Sequence, residues 1–318
     1  MLRGGVDLGG TKIEAIVVDD GNRVLGRARE ATPSSGGPAD VVAAMVEAIR
    51  EAAEGASLAV DELAGVGVGS PGSVDASAGT VATARNLPNW DAPVPLAELL
   101  SRELGVPVRL GNDVGVAVEA EAALGAGRSY RSFLGLWWGT GVGGAIMVDR
   151  KRWLGRGSAG EIGHTVVKLN GAPCACGRRG CLEAYAGRGA MEARARRAVR
   201  RGTKTSLFSL MEKHGHTRLT SSVWQRALDE HDDLAERLIE RAIRALGAGV
   251  ASAINLTDLE AVVVGGGLGN RLGDDATERI RRAMEPHLFV SDRPPEVRLS
   301  ELGDLGGAIG AARLVATG

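Results

Sequence analysis

The sequence is short of cysteine, of aromatic residues and of net charge. Three of its 318 residues are cysteine, 3% are aromatic, and the formal net charge is -1. A nearly neutral chain gives no electrostatic reason to expect binding to nucleic acid or to an anionic membrane. No apolar run approaches the roughly 20 residues of a transmembrane helix, and the first residues show no signal-peptide pattern. We therefore expect a cytoplasmic globular protein that binds small molecules, with no nucleic-acid or membrane partner.

Glycine, in contrast, is abundant. The chain has 47 glycines, about twice the usual share of ~7%, and its hydrophobic content of 44% supports substantial cores. The length suits two domains of ordinary size. This composition predicts an α/β protein with many turns and with surfaces formed by backbone atoms.

The few cysteines are concentrated in one short stretch. Cys174, Cys176 and Cys181 lie within eight positions, and His164 precedes them by ten residues. A disulfide with a spare thiol is a poor alternative in a chain of this kind, and the C-x-x-C pattern of redox catalysis is absent. Three thiols and an imidazole complete a tetrahedral zinc shell with no open position. We therefore predict a structural zinc knuckle, flanked by Glu161 and Glu183, which we expect to point into one pocket.

The first residues predict a glycine turn between two strands. The run V-D-L-G-G-T-K offers backbone N–H groups and a hydroxyl to a phosphate chain, and a neighbouring carboxylate suits hydrated Mg²⁺. An ordinary hairpin would give a similar pattern. The candidate nucleotide-binding residues here are Asp7, Gly9, Gly10, Thr11 and Lys12.

The same plan recurs later in the chain. The segment 133–138 reads as a strand, 139–144 as a glycine turn and 145–148 as a strand, which indicates a duplicated α/β unit as in the actin-like ATPase fold. A dinucleotide fingerprint is excluded because a strand, not a helix, follows the turn. A third glycine run follows the predicted strand 259–264, where bare backbone would let a purine lie flat. The candidates in these two runs are Gly139, Thr140, Gly141, Gly143, Gly265, Gly266 and Gly267.

Asn112 and Asp113 lie between the predicted strand 108–110 and the predicted helix 114–124. Asp113 at this position could be a helix N-cap. It could equally be a general base on a rigid element, beside an amide that orients a hydroxyl. Position alone does not separate the two interpretations.

Taken together, the run G-E-I-G-H-T-V-V…C-x-C-G-x-x-G-C-L-E resembles the ROK family of repressors, open reading frames and sugar kinases. It most resembles the bacterial ATP-dependent glucokinases of that family, and the similarity extends along nearly the whole chain. V-D-L-G-G-T-K resembles the first phosphate motif of the family, G-T-G-V-G-G the second, and V-V-G-G-G-L the adenosine motif.

The resemblance implies roles for individual residues. Asp113 is implied as the catalytic base and His164 as a ligand of both zinc and the sugar. Gly115 stands where the family commonly has asparagine, so one contact there is in doubt. The implied sugar-binding residues are Gly72, Asn86, Asn112, Asp113, Glu161, His164 and Glu183, and the implied metal ligands are His164, Cys174, Cys176 and Cys181.

The resemblance also implies an architecture and an activity. It implies a two-domain actin-like ATPase fold (ribonuclease H-like, hexokinase-type) with an interdomain cleft and a structural zinc loop. Residues 1–113 and 303–318 are expected to form a smaller α/β domain and residues 114–302 a larger one. The implied reaction is phosphorylation of a hexose, glucose first, at its primary hydroxyl, with ATP, Mg²⁺ and structural Zn²⁺ and with a homodimer or homotetramer as the assembly.

Other functions remain open at this point. Fructose, N-acetylmannosamine, N-acetylglucosamine and allose are alternative acceptors, because one or two loop contacts separate such kinases. A non-catalytic sugar sensor and a repressor-related protein are more remote. A repressor of this family would carry a winged helix-turn-helix before the first strand, and we expect none because that strand begins by Gly5.

Overall fold

The computed structural model describes residues 1–84 and 86–316, in two α/β units. The first unit comprises Met1–Gly125 and Leu305–Gly318, and the second comprises Ala126–Asp304. The first unit ends beyond the predicted boundary at residue 113. The helix that follows this residue packs against the C-terminal helix of the same unit, so both belong to it.

The strands occur mainly in runs of three, and five consecutive α-helices separate the tenth strand from the eleventh. They are β1 (Arg3–Leu8), β2 (Lys12–Val18), β3 (Val24–Ala31), β4 (Val66–Ser70), β5 (Ser73–Asp75), β6 (Thr80–Ala82), β7 (Val108–Asn112), β8 (Phe133–Trp138), β9 (Val142–Val148), β10 (Lys151–Trp153), β11 (Ala261–Gly265) and β12 (Glu296–Leu299). The α-helices are α1 (Pro38–Gly55), α2 (Leu96–Leu104), α3 (Asp113–Leu124), α4 (Glu183–Ala186), α5 (Arg188–Arg200), α6 (Leu207–Lys213), α7 (Ser221–Asp229), α8 (Asp233–Thr257), α9 (Gly266–Met284) and α10 (Gly306–Arg313).

Each unit contains one mixed five-stranded sheet, and the two sheets have the same plan. The strand order is β3-β2-β1-β4-β7 in the first unit and β10-β9-β8-β11-β12 in the second. In each, the first three strands of the unit pair antiparallel and two later strands are added in parallel. The predicted repeat is therefore confirmed at the level of strand order.

In the first unit, helix α10 lies directly on the sheet. A Cβ atom added at Gly5 would overlap the carbonyl oxygen of Ala308, and one added at Gly67 would overlap that of Ala311. Because glycine has no side chain, the helix backbone approaches β1 and β4 more closely than any other residue would allow. This contact explains part of the glycine content.

In the second unit, the core contains two of the few aromatic residues. Trp138 and Trp224 are fully buried, and the indole N–H of Trp138 donates to Ala186 O at 2.7 Å. The sequence favours packing roles for Trp137 and Trp138, and the burial of Trp138 confirms that role for this residue. Helix α8 adds a long apolar stripe, and its N-terminus is capped by Asp232, which accepts from Ala235 N at 2.8 Å.

The sequence also predicts one helix over 222–255, an irregular segment over 202–220 and a loop over 84–90. The first region contains two helices, because His231 adopts a left-handed backbone (φ 55°) between α7 and α8. The segment 202–220 contains α6, and the second glycine turn is shorter than predicted because β9 begins at Val142. The loop contains no helix or strand among the residues described, and residue 85 lies outside them.

Across residues 1–84 and 86–316, none of the helices combines the length and apolar character needed to cross a membrane.

Candidate functional site

The first glycine turn is closed by local hydrogen bonds. Gly9 N donates to Lys12 O at 2.9 Å, and the hydroxyl of Thr32 donates to Gly9 O at 2.6 Å. The ammonium of Lys12 lies 3.3 Å from the carboxylate of Glu14, which is 3% exposed and also receives Arg29 at 2.6 Å. Glu14 therefore holds the lysine of the phosphate motif in place, a role that the motif alone does not reveal.

Two further predicted residues pack against this turn within the same unit. A Cβ atom at Gly307, in the first turn of α10, would lie 2.6 Å from Asp7 Cγ, and one at Gly10 would lie 2.8 Å from Asn86 Cβ. The side chain of Asp7, on β1, therefore packs against the first turn of α10. Asn86 lies directly against the turn, so a predicted sugar contact and the first phosphate motif adjoin each other.

Gly72 follows β4 in a left-handed backbone conformation, with φ at 88°. A Cβ atom there would lie 2.6 Å from Ala82 O, at the end of the small hairpin formed by β5 and β6. Both the positive φ and this close approach require glycine. The residue shapes the loop, and its backbone is the part available to a ligand.

Asn112 and Asp113 meet where β7 becomes α3. Asn112 is the N-cap, since its side chain accepts from Gly115 N at 2.9 Å. Oδ1 of Asp113 accepts from Val114 N at 2.9 Å and from Asn112 Nδ2 at 3.1 Å. The N-cap interpretation of Asp113 is therefore wrong, because the preceding asparagine performs that function. Gly115 supplies the capped N–H, a contact that needs no side chain.

The second glycine turn is fastened to a predicted sugar ligand. Gly139 N donates to Gly141 O at 3.0 Å, and Val142 N donates to Glu183 Oε2 at 3.0 Å. A Cβ atom at Gly141 would overlap that same carboxylate oxygen. Glu183, the first residue of α4, therefore braces the turn and leaves no space there for a side chain.

The candidate metal ligands come together as predicted. The ligand atoms of His164, Cys174, Cys176 and Cys181 all lie within 4.8 Å of one another. Cys176 Sγ is 3.7 Å from Cys181 Sγ, and Cys174 Sγ is 3.8 Å from His164 Nδ1. A tetrahedral zinc with Zn–S bonds of about 2.3 Å would separate its sulfur ligands by about 3.8 Å. The donor set and its spacing both fit a structural zinc.

The three thiols differ in acidity. Burial raises the pKa of Cys174 to about 12, and burial also raises the pKa of Cys181. The backbone N–H of Arg178 lowers the pKa of Cys176. Binding of zinc requires thiolates, so metal and protons would compete at the two buried sulfurs.

The two glutamates beside the knuckle have different environments. Glu161 is exposed and precedes a short 3₁₀ helix, Ile162–His164. Glu183 is half-buried, and its Oε1 lies 3.7 Å from Cys174 Sγ while its Oε2 braces the glycine turn. Their convergence in one pocket stays a prediction. The sequence does not predict that Glu183 links the knuckle to the second glycine turn.

The third glycine run forms the junction between β11 and α9. Gly266 has a φ of 84°, and a Cβ atom on it would lie 2.7 Å from Trp138 O. A Cβ atom on Gly265 would lie 2.9 Å from the indole of Trp137. These glycines let the chain pass directly over β8. Helix α9 begins at Gly266, directly after β11.

One residue of this unit that the sequence analysis overlooked is Arg188. It begins α5, and its guanidinium donates to the hydroxyls of Thr140 and Ser221 at 2.9 and 2.7 Å. Its position immediately after the knuckle and its flanking glycines were the available signals.

Comparison with known proteins gives consistent results. The ROK family model matches residues 3–317. A glucokinase of Thermotoga maritima is 34% identical over 315 residues, which cover 98% of this chain and 96% of that protein. An N-acetyl-D-glucosamine kinase of Yersinia pseudotuberculosis is 32% identical, with coverage of 98% and 97%. The solved structure of a ROK family glucokinase from Streptomyces griseus, in complex with glucose and AMPPNP, is 33% identical, has a TM-score of 0.86 and is matched over 100% of both chains. The chain therefore belongs to the ROK family.

Proposed function

We propose that this protein transfers the γ-phosphoryl group of ATP to the primary hydroxyl of a hexose, with glucose as the preferred acceptor. The coarser statement, that the chain is an ATP-dependent sugar kinase, follows from its named relatives. The choice of glucose rests on one observation, the full-length similarity to a glucokinase bound to glucose and AMPPNP. The two units would correspond to the two halves of an actin-like ATPase fold.

Asp113 is the proposed general base. Its carboxylate is anchored at the start of α3 by Val114 N and by the amide of Asn112, so its position is fixed before substrate arrives. It would accept the proton of the primary hydroxyl as the oxygen attacks the γ-phosphorus. Asn112 would remain the helix cap and offer its amide to a neighbouring sugar hydroxyl.

Further residues are proposed as sugar contacts. Amides, carboxylates and imidazole suit a polyol because each can accept or donate to adjacent hydroxyls, and a site built this way rejects analogues that lack them. The proposed contacts are Gly72, Asn86, Glu161, His164 and Glu183, with His164 shared between sugar and metal.

The nucleotide would be held by the three glycine turns. Phosphoryl transfer depends mainly on positioning and on neutralising charge, and these turns offer N–H groups together with the ammonium of Lys12. Bound Mg²⁺ would neutralise phosphate charge, and Asp7 is the carboxylate placed to hold its water shell. Residues 139–143 and 265–267 would contact the phosphates and the adenosine, respectively.

We also propose that the knuckle holds one structural Zn²⁺ through His164, Cys174, Cys176 and Cys181. The fit of the donor distances to a tetrahedral shell supports this assignment. All four positions are taken, so the ion would stabilise the loop and would not activate water.

A coupled assay of ADP release tests the proposal directly. The purified protein would be given ATP, Mg²⁺ and, separately, glucose, fructose, N-acetylglucosamine, N-acetylmannosamine, N-acetylgalactosamine and allose. We expect the highest kcat/KM with glucose. A preference of tenfold or more for an N-acetylated sugar would replace glucose by that sugar, a real alternative because relatives that act on N-acetylated sugars are equally similar. No turnover with any sugar would favour a sensor.

A further inference from the structure

Arg188 is attached to the second glycine turn through its backbone. Arg188 N donates to Gly139 O at 3.1 Å, and Gly189 N donates to Thr140 O at 3.1 Å. Two consecutive N–H groups at the start of α5 therefore hold the carbonyl groups of the turn. The first residue of this helix cannot move independently of the second phosphate motif.

The side chain of Arg188 donates to Thr140 of the same turn and to Ser221. Its Nη2 donates to the hydroxyl of Thr140 at 2.9 Å, and its Nη1 donates to the hydroxyl of Ser221 at 2.7 Å. Ser221 begins α7, and its Oγ is 3.5 Å from the place of a Cβ atom at Gly267. The guanidinium thus links the second glycine turn to Ser221, which lies beside the glycine run at the start of α9, all within one unit.

No carboxylate among the described residues forms an ion pair with Arg188. Both of its side-chain hydrogen-bond acceptors are neutral hydroxyls. The nearby Glu192 instead pairs with Arg196 at 2.7 Å and with Arg218 at 3.5 Å. Burial lowers the pKa of Arg188 and the charge of Arg218 lowers it further, while the charge of Glu192 opposes them only in part. A partly buried cation without a directly paired counterion is unfavourable, and an anionic ligand would reduce that cost.

From this geometry we propose that Arg188 is a nucleotide-binding residue whose guanidinium contacts the phosphate chain of ATP. A guanidinium has five N–H donors in a fixed planar fork that matches phosphate oxygens, and two hydroxyls occupy only part of that fork. A phosphate on the turn would lie beside Thr140 and would complete the neutralisation. The inference rests on the proposed function, since it assigns a further residue to the same nucleotide site.

Calorimetric titration of nucleotides tests the inference without any turnover. Wild-type protein, Arg188→Met and Arg188→Lys would each be titrated with ATP, ADP and adenosine. Charge-assisted hydrogen bonds to phosphate predict that Arg188→Met weakens ATP and ADP binding by about 10- to 100-fold. Adenosine should change by less than about twofold, because it has no phosphate, and Arg188→Lys should fall between, since it keeps the charge but loses the fork.

A control on the same helix separates charge from contact. Arg197 is exposed on α5, and Arg197→Met removes the same charge without touching the turn, so it should leave all three affinities unchanged. Equal losses for adenosine and ATP in Arg188→Met would overturn the inference in favour of a purely structural role, as would unchanged ATP affinity. Protein that bound ATP normally but phosphorylated no sugar would count against the proposed function alone.

Discussion

Replacement of Asp113 by asparagine should separate the fold of this protein from its chemistry. Oδ1 of Asp113 accepts two hydrogen bonds, from Val114 N and from Asn112 Nδ2. The side-chain oxygen of an asparagine can accept both. The variant should therefore keep the start of α3 intact, while a carboxamide cannot take a proton from the attacking hydroxyl.

The size of each effect follows from these contacts. Hydrogen bonds to a charged group contribute about 1 kcal/mol more than neutral ones, so the loss of charge at two such bonds should lower the free energy of unfolding by about 2 kcal/mol. A general base contributes about 10²- to 10⁴-fold, which corresponds to about 3 to 5 kcal/mol of activation free energy. The increase in activation free energy should therefore exceed the decrease in the free energy of unfolding. KM for the sugar should change little, because an amide still hydrogen-bonds to a hydroxyl.

The assay is ADP release at saturating ATP over a range of glucose concentrations, together with thermal unfolding of the same preparations. Asp40→Asn is a matched control, because Asp40 also lies in the first turn of a helix and accepts a backbone N–H, that of Gly37, at 2.8 Å. Asp40→Asn should show a small decrease in the free energy of unfolding and an unchanged kcat. Near-normal kcat in Asp113→Asn would refute the assignment of Asp113 as base.

Three further outcomes are expected. Purified protein should contain about one zinc per chain by metal analysis, and Cys176→Ala should lose both the metal and thermal stability; full metal content in that variant would exclude Cys176 as a ligand. Asp232→Ala should lower the free energy of unfolding by about 1 to 2 kcal/mol in denaturant titrations, since the side chain caps α8. Burial opposes ionisation of Asp232, but hydrogen bonds from Ala235 and from residues 205 and 206 outweigh it and lower its pKa. The stabilisation should therefore be present above the ordinary pKa of 3.8 and be lost as the pH falls through the lowered pKa of the folded protein. Gly67→Ala should destabilise the first unit by more than about 1 kcal/mol, because the new methyl group would overlap Ala311 O; unfolding at the wild-type temperature would show that α10 does not pack as closely as described.

Much of the fold could be predicted from local patterns. The sequence of residues 4–31 predicts three strands, because its apolar residues are bounded by G-G and D-G-N turns, and β1, β2 and β3 lie there. The break at His231 is marked by neither glycine nor proline, and it lies directly before Asp232, which caps α8.

The clustering of the knuckle ligands could be predicted from the sequence, but individual contacts could not. The knuckle ligands could be predicted from their spacing and chemistry because they are close in sequence. The bond from Val142 N to Glu183 spans 41 positions, and such pairings depend on how the elements pack. Glu14 had an available signal, because alternation along β2 puts it on the same face as Lys12.

The carboxylate of Glu183 has a thermodynamic consequence. One of its oxygens lies 3.7 Å from a knuckle sulfur and the other accepts the N–H of Val142. The same side chain therefore contacts both the knuckle and the second glycine turn. Linkage is reciprocal for binding free energies. If an occupied knuckle fixes Glu183 and thereby raises the affinity of the turn for phosphate, then bound nucleotide must tighten the hold on the ion by the same factor. Turnover and metal retention would then not be independent, and a cell short of zinc would lose this enzyme fastest when ATP is also scarce.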